Sequence, residues 1–86
     1  MSEHAIIALG SIITAGITMA VGAVGAAIGE SRIGAAGIDA LARQPDEASS
    51  ITRNQFVALA MVESTAIFCL VIALVLLFAN PFVAGR

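Results

Sequence analysis

The sequence predicts an all-α membrane protein, a hairpin of two antiparallel transmembrane helices that assembles into a homo-oligomeric ring. Three observations predict it. Two long apolar stretches dominate an 86-residue chain of 59% hydrophobic content, too short to enclose a soluble core of that composition. One polar patch, from Glu30 to Asn54, separates them. The first stretch is small on nearly every face and the second is bulky, so helices can approach closely on one side and meet lipid on the other.

The first stretch runs from His4 to Gly29, 26 residues without a formal charge, where about 20 suffice to cross a bilayer. Met1-Ser2-Glu3-His4 is an acidic start, unlike the basic opening of a secretory signal, and the apolar run exceeds a typical signal core. Helix 1 is therefore expected to be retained, over about residues 5–42. Ala15, Gly16, Ala20, Gly22, Ala23, Gly25, Ala26, Ala27, Gly29 and Ser31 leave it small almost all round. Such a helix needs neighbours on more than one side. Identical subunits favour closed rotational symmetry, which gives the ring. A simple dimer through GxxxG-like contacts is the plainer alternative.

The polar patch holds Arg32, Asp39, Arg43, Asp46, Glu47 and Arg53. Pro45 has no backbone donor and pushes Gln44 out of helical geometry. This sets a polar loop at about 43–46, with the flanking residues extending both helices beyond the membrane. Three of the four arginines lie in this patch, so the loop is expected in the cytoplasm and both termini on the opposite side. A net charge of −2 argues for no nucleic-acid partner. Helix 2 follows at about 47–79, rich in Leu70 to Phe78, and Asn80-Pro81 stops it. The whole, 1–86, reads as one domain. Cys69 sits among Phe68, Leu70 and Val71 and reads as a packing residue.

Glu63 is the only charged residue between Asn54 and Gly85. A carboxyl at membrane depth is costly and by default belongs to an ion pathway. Glu30 ends the other apolar stretch. In a hairpin turning near 46 and 47, residues whose numbers sum to about 93 share a height, and Glu30 and Glu63 do. Each lies roughly 25 Å from the turn at the helical rise. Glu30 could instead be a solvated helix-end acid, but a pair with Arg32 is disfavoured because residues two apart do not face each other. No nucleophile–base pair or phosphate loop is evident, so enzyme chemistry within the chain is not expected. A small pore-forming, holin-like hairpin shares the two apolar helices but needs no level pair of acids.

These residues resemble the c-subunit family, the proteolipid of the rotor ring of F-type ATP synthases and their N-type relatives. Ala42-Arg43-Gln44-Pro45 matches the family's polar loop, and Gly22, Gly25 and Gly29 match its glycine-rich first helix. Glu63 falls at the ion-carrying carboxylate, and Val71 to Phe82 resembles the usual ending of helix 2. The resemblance implies a non-catalytic, ion-translocating component, without cofactors, in a multi-pass hairpin of the bacterial inner membrane. It implies a ring that turns against the a-subunit, whose arginine offsets the Glu63 charge during ion exchange. Arg43, Gln44 and Pro45 would seat the central stalk proteins gamma and epsilon, and membrane lipid would cover the outside.

The ion is expected to be a proton, with sodium as the alternative. Sodium needs several oxygen ligands, and the family's sodium types use a Glu followed by Ser and Thr, with Gln or Glu on helix 1. Glu63, Ser64, Thr65 and Glu30 meet that pattern, with Met61 at the position of a carbonyl ligand; Glu30, Glu63 and Ser64 would then be the metal ligands. Phe68 stands where those types carry a tyrosine, which removes one hydroxyl and favours protons. Two close carboxyls would share protons and titrate as a pair.

Overall fold

The computed structural model describes residues 2–83 and consists of two long helices joined by a tight turn. Helix α1 spans Glu3–Arg43 and α2 spans Ala48–Phe78, with single 3-10 turns at Pro45–Glu47 and Pro81–Val83. The ends of the expected 1–86 domain, Met1 and residues 84–86, lie outside the described residues.

Each boundary has a local cause. Helix α1 starts at Glu3, slightly before the expected residue 5, because Ser2 caps it: its Oγ accepts the Ala5 N–H at 3.0 Å. Glu3 adds a negative charge at the positive end of the helix dipole. At the other end Gln44 leaves helical geometry, with φ −134° and ψ 69°, while its N–H still reaches the Ala40 carbonyl at 2.9 Å. Pro45 then opens the 3-10 turn, closed by Glu47 N–H to Gln44 O at 3.0 Å. Much of the expected loop at 43–46 is thus helical. An exposed Asp39–Arg43 ion pair at 3.2 Å spans the last turn of α1; in solvent it contributes little.

The hairpin is a rod, 64 × 17 × 9 Å. Both helices are long and apolar enough to cross a membrane. At the helical rise α1 is roughly 60 Å long, about twice the hydrocarbon thickness, so part of it must project beyond the bilayer. Large apolar side chains such as Ile6, Ile13, Val24, Phe56, Phe68 and Phe78 are exposed. The buried apolar set is small: Ala15, Ala26 and Ala73. The outer faces of the rod can be satisfied only by lipid or by other subunits.

Close approach along the seam uses residues with little or no side chain. A Cβ added at Gly22 would lie 2.7 Å from Cys69 Sγ and 2.9 Å from its Cβ. One added at Gly29 would touch Val62 at 3.5 Å. The third glycine, Gly25, faces open space, as do Gly10, Gly16 and Gly34. So Gly22 and Gly29 serve the seam within the hairpin, and Gly25 lies on an outer face. The pairs also give the register: Gly22 with Cys69, Gly29 with Val62 and Ser11 with Asn80 each sum to 91. The turn therefore centres between Pro45 and Asp46, one residue before the expected point, because the 3-10 turn begins at Pro45 itself.

The Gly22 contact predicts a specific defect. Gly22→Ala should cost about 1–3 kcal/mol by overpacking, read as a lower melting temperature of the detergent-solubilised assembly. Cys69→Gly in the same chain should restore much of the loss. Unchanged melting of the single variant would contradict this packing.

Candidate ion site

Glu30 on α1 and Glu63 on α2 line one cavity of about 290 Å³ on the flank of the hairpin. Its walls are apolar, including Met19, Ala26, Ala66, Ile67 and Leu70. A second concavity on the loop side, with Phe56, Leu59 and Ala60, also ends at the two acids. Both acids line both concavities, which places their carboxyls on the same flank of the hairpin. Glu30 is half-buried, while Glu63 is exposed on the flank of the single hairpin.

The helices explain why the acids meet. Gly29, next to Glu30, packs on Val62, next to Glu63, so the backbones approach closely beside the pair. Two adjacent carboxyls in apolar surroundings cannot both be charged at low cost. A proton shared between them, or a cation held by them, removes that cost. Reversible loading is therefore what this arrangement can do chemically.

The other expected site residues stand apart from the cavity. Ser64 Oγ donates to the Ala60 carbonyl at 2.9 Å, one turn back on its own helix. Thr65 and Met61 are exposed, and neither lines either concavity. Successive helical residues diverge by about 100°, so Glu63, Ser64 and Thr65 spread over different faces. Among the described residues no three His, Cys, Asp or Glu converge as a metal cluster. Arg43, Gln44 and Pro45 are all exposed at the tip of the hairpin, roughly 25 Å from the acids along the helical axis.

The structure adds two polar contacts at the helix seam that the sequence pattern does not single out. Asn80, expected only as a helix stop, is buried at 2% exposure and donates to Ser11 Oγ. Gln55 reaches the carbonyls of Ile33 and Gly34, its carboxamide lying where a side chain at Gly37 would go. The available signal is an amide at each end of a strongly apolar helix, a position where a polar group needs a partner.

Comparison with known proteins settles the family. The family model for the ATP synthase C subunit matches residues 13–76, a range that contains both acids and the turn. The chain belongs to the ATP synthase c-subunit family. It is similar to the ATP synthase c-subunit 2 of Cereibacter sphaeroides, with 53% identity over 74 residues, covering 86% of this chain and 89% of that one. It also resembles the ATP synthase c-subunit of Petrotoga mobilis, at 45% identity over 73 residues, covering 85% and 76% respectively. A chloroplastic ATP synthase c-subunit from Cyanidioschyzon merolae is 42% identical over 79 residues, 92% of this chain and 98% of the relative. As a c-subunit, the chain is a transmembrane component of the CF(0) sector and part of the rotor ring of an ATP synthase. Its part in ATP synthesis is as a component of that enzyme complex. Membership sets aside the pore-forming hairpin.

The paired geometry predicts that Glu30 governs the reactivity of Glu63, because the two acids line one cavity. In the assembled ring, Glu30→Gln should change the rate of carbodiimide labelling at Glu63. A rate unchanged by that substitution in intact rings would show that the two carboxyls act independently.

Proposed function

We propose that Glu63 is the ion carrier of this rotor component and that the ion is a proton, held in partnership with Glu30. The observation that supports this is the meeting of two carboxyls on one cavity in an otherwise apolar hairpin. A neutral carboxyl passes the lipid face at far lower cost than a carboxylate. Glu63, on the hairpin flank, loads its proton from one aqueous half-channel and releases it into the other as the ring turns against the a-subunit. A fixed arginine of the a-subunit offsets the carboxylate while it is empty. Glu30 supplies a second oxygen pair that holds the shared proton between exchanges.

The hairpin contributes no catalysis of its own and needs no cofactor. Arg43, Gln44 and Pro45, exposed at the tip, seat the central stalk proteins gamma and epsilon and pass torque to the soluble head. The membrane is the bacterial inner membrane, with the loop cytoplasmic and the termini opposite. Lipid covers the bulky outer face of α2.

Sodium is the second reading, favoured by the oxygen set of Glu30, Glu63 and Ser64 beside Thr65 and the Met61 carbonyl. The Ser64 hydroxyl donates to the Ala60 carbonyl and keeps its oxygen lone pairs for a cation, but Ser64 lines neither concavity beside the acids. Phe68 offers no hydroxyl to complete the shell, and the proton reading is preferred on that ground.

Carbodiimide attacks protonated carboxyls in apolar settings and separates the two. Labelling of the purified ring at Glu63 should depend on pH and be indifferent to sodium. Protection by sodium would make sodium the carried ion, and absence of labelling at every pH would overturn the ion-site reading. In the whole complex, Glu63→Gln should reduce ion-driven ATP synthesis to background, while ring assembly persists; retained synthesis would contradict the assignment.

A further inference from the structure

The ion site works only if Glu30 and Glu63 keep the same height, and little in a lipid-embedded pair fixes height. Lipid surrounds apolar faces equally well in any register, so close packing and polar contacts must choose it. Among the described residues, side-chain hydrogen bonds between the two arms occur at two places. One is Asn80. Its Nδ2 donates to Ser11 Oγ and to Leu76 O at 3.3 Å, and its Oδ1 accepts from Phe82 N–H at 2.8 Å. The other is Gln55, whose Nε2 lies 3.4 Å from Ile33 O and 3.5 Å from Gly34 O.

The acids lie between these two points. Along α2 the order is Gln55, Glu63, Asn80, and along α1 it runs Ser11, Glu30, Gly34, Gly37. Gln55 is about 12 Å from Glu63 along the axis, and Asn80 about 26 Å on the other side. The two contacts differ in quality. Asn80 is buried with donor and acceptor both used, whereas the Gln55 bonds are long but backed by a carboxamide seated at Gly37. A slip of one residue displaces one helix by about 1.5 Å and turns the facing residue by about 100°. That is enough to take Glu63 off Glu30.

We propose that Asn80 with Ser11 at one end, and Gln55 with Gly37 at the other, are positioning residues that clamp the hairpin register and so hold Glu30 against Glu63. The proposal rests on the ion-site reading above. From α1, Glu30 is the one titratable group facing Glu63 among the described residues. On α2 itself, Cys69 packs on Gly22 outside both concavities; Arg32 of α1 and Arg53 of α2 are exposed, and neither lines either concavity.

The test is carbodiimide labelling of Glu63 across pH in rings purified from the whole complex, with assembly checked by native mass spectrometry. Ser11→Ala removes the bond between the arms and leaves Asn80 bonded to Leu76 and Phe82. It should change the labelling rate at the wild-type midpoint by about threefold, the lower range of one net hydrogen bond. Ser11→Thr, which keeps the hydroxyl, should restore the wild-type profile, and Gln55→Leu should shift it as Ser11→Ala does. Ser11→Ala and Gln55→Leu profiles that superpose on wild type in intact rings would overturn the proposal. Should Ser11→Ala rings fail to assemble, Gln55→Leu decides by the same criterion. Failure of the wild-type ring to label at any pH would overturn the ion-site reading, and the clamp with it.

Discussion

Lipid gives apolar helices no reason to prefer each other over their solvent, and this constraint governs the whole hairpin. Association must then come from backbones that approach closely and from polar groups that have nowhere else to bond. The seam meets both requirements. Gly22 lies against Cys69 and Gly29 against Val62, while Asn80 bonds Ser11 near one end of the rod. Large side chains are placed on the outside, where lipid or another protomer receives them. The result is a rod with almost no interior, closely packed along its seam and incomplete on its flanks.

Function follows from what that seam brings together. Gly29 and Val62 draw the backbones close beside Glu30 and Glu63, which forces two carboxyls onto one apolar cavity. Elsewhere in a protein this would be a defect to be neutralised. In the function proposed above, the instability of two adjacent charges supplies a reason to bind an ion and, when a countercharge arrives, a reason to release it. Because the cavity opens on the flank, the proposed loading and release would take place at the surface the hairpin presents to its surroundings. Rotation of a ring can therefore carry each site past a fixed partner without any large rearrangement within the hairpin.

The two-helix architecture was legible because its signals are long: an uncharged run, an arginine-bearing patch with Pro45, and a second run broken only by Glu63. The meeting of the two acids was legible as well, since hairpin arithmetic needs only the position of the turn. That arithmetic tolerated a one-residue error in the turn without losing the pair. Side-chain directions were not legible. Ser64 follows Glu63 in sequence, yet its hydroxyl turns back to Ala60, a local bond that any helical serine can make. Nor could residue type separate Gly25, which faces outward, from Gly22 and Gly29, which face α2. Asn80 read as a helix stop because Pro81 follows it; its burial depends on Ser11, which is 69 residues away in the chain.

The central claim is that Glu30 and Glu63 of the same hairpin form one site. Replacing both with cysteine in a Cys69→Ala background, and treating the assembled ring with a short bifunctional thiol reagent, tests it most directly. The account predicts cross-linking within each chain, read as protomers of monomer mass plus one linker after the ring is dissociated. Linkage only between neighbouring protomers, or no linkage in intact rings, would contradict it.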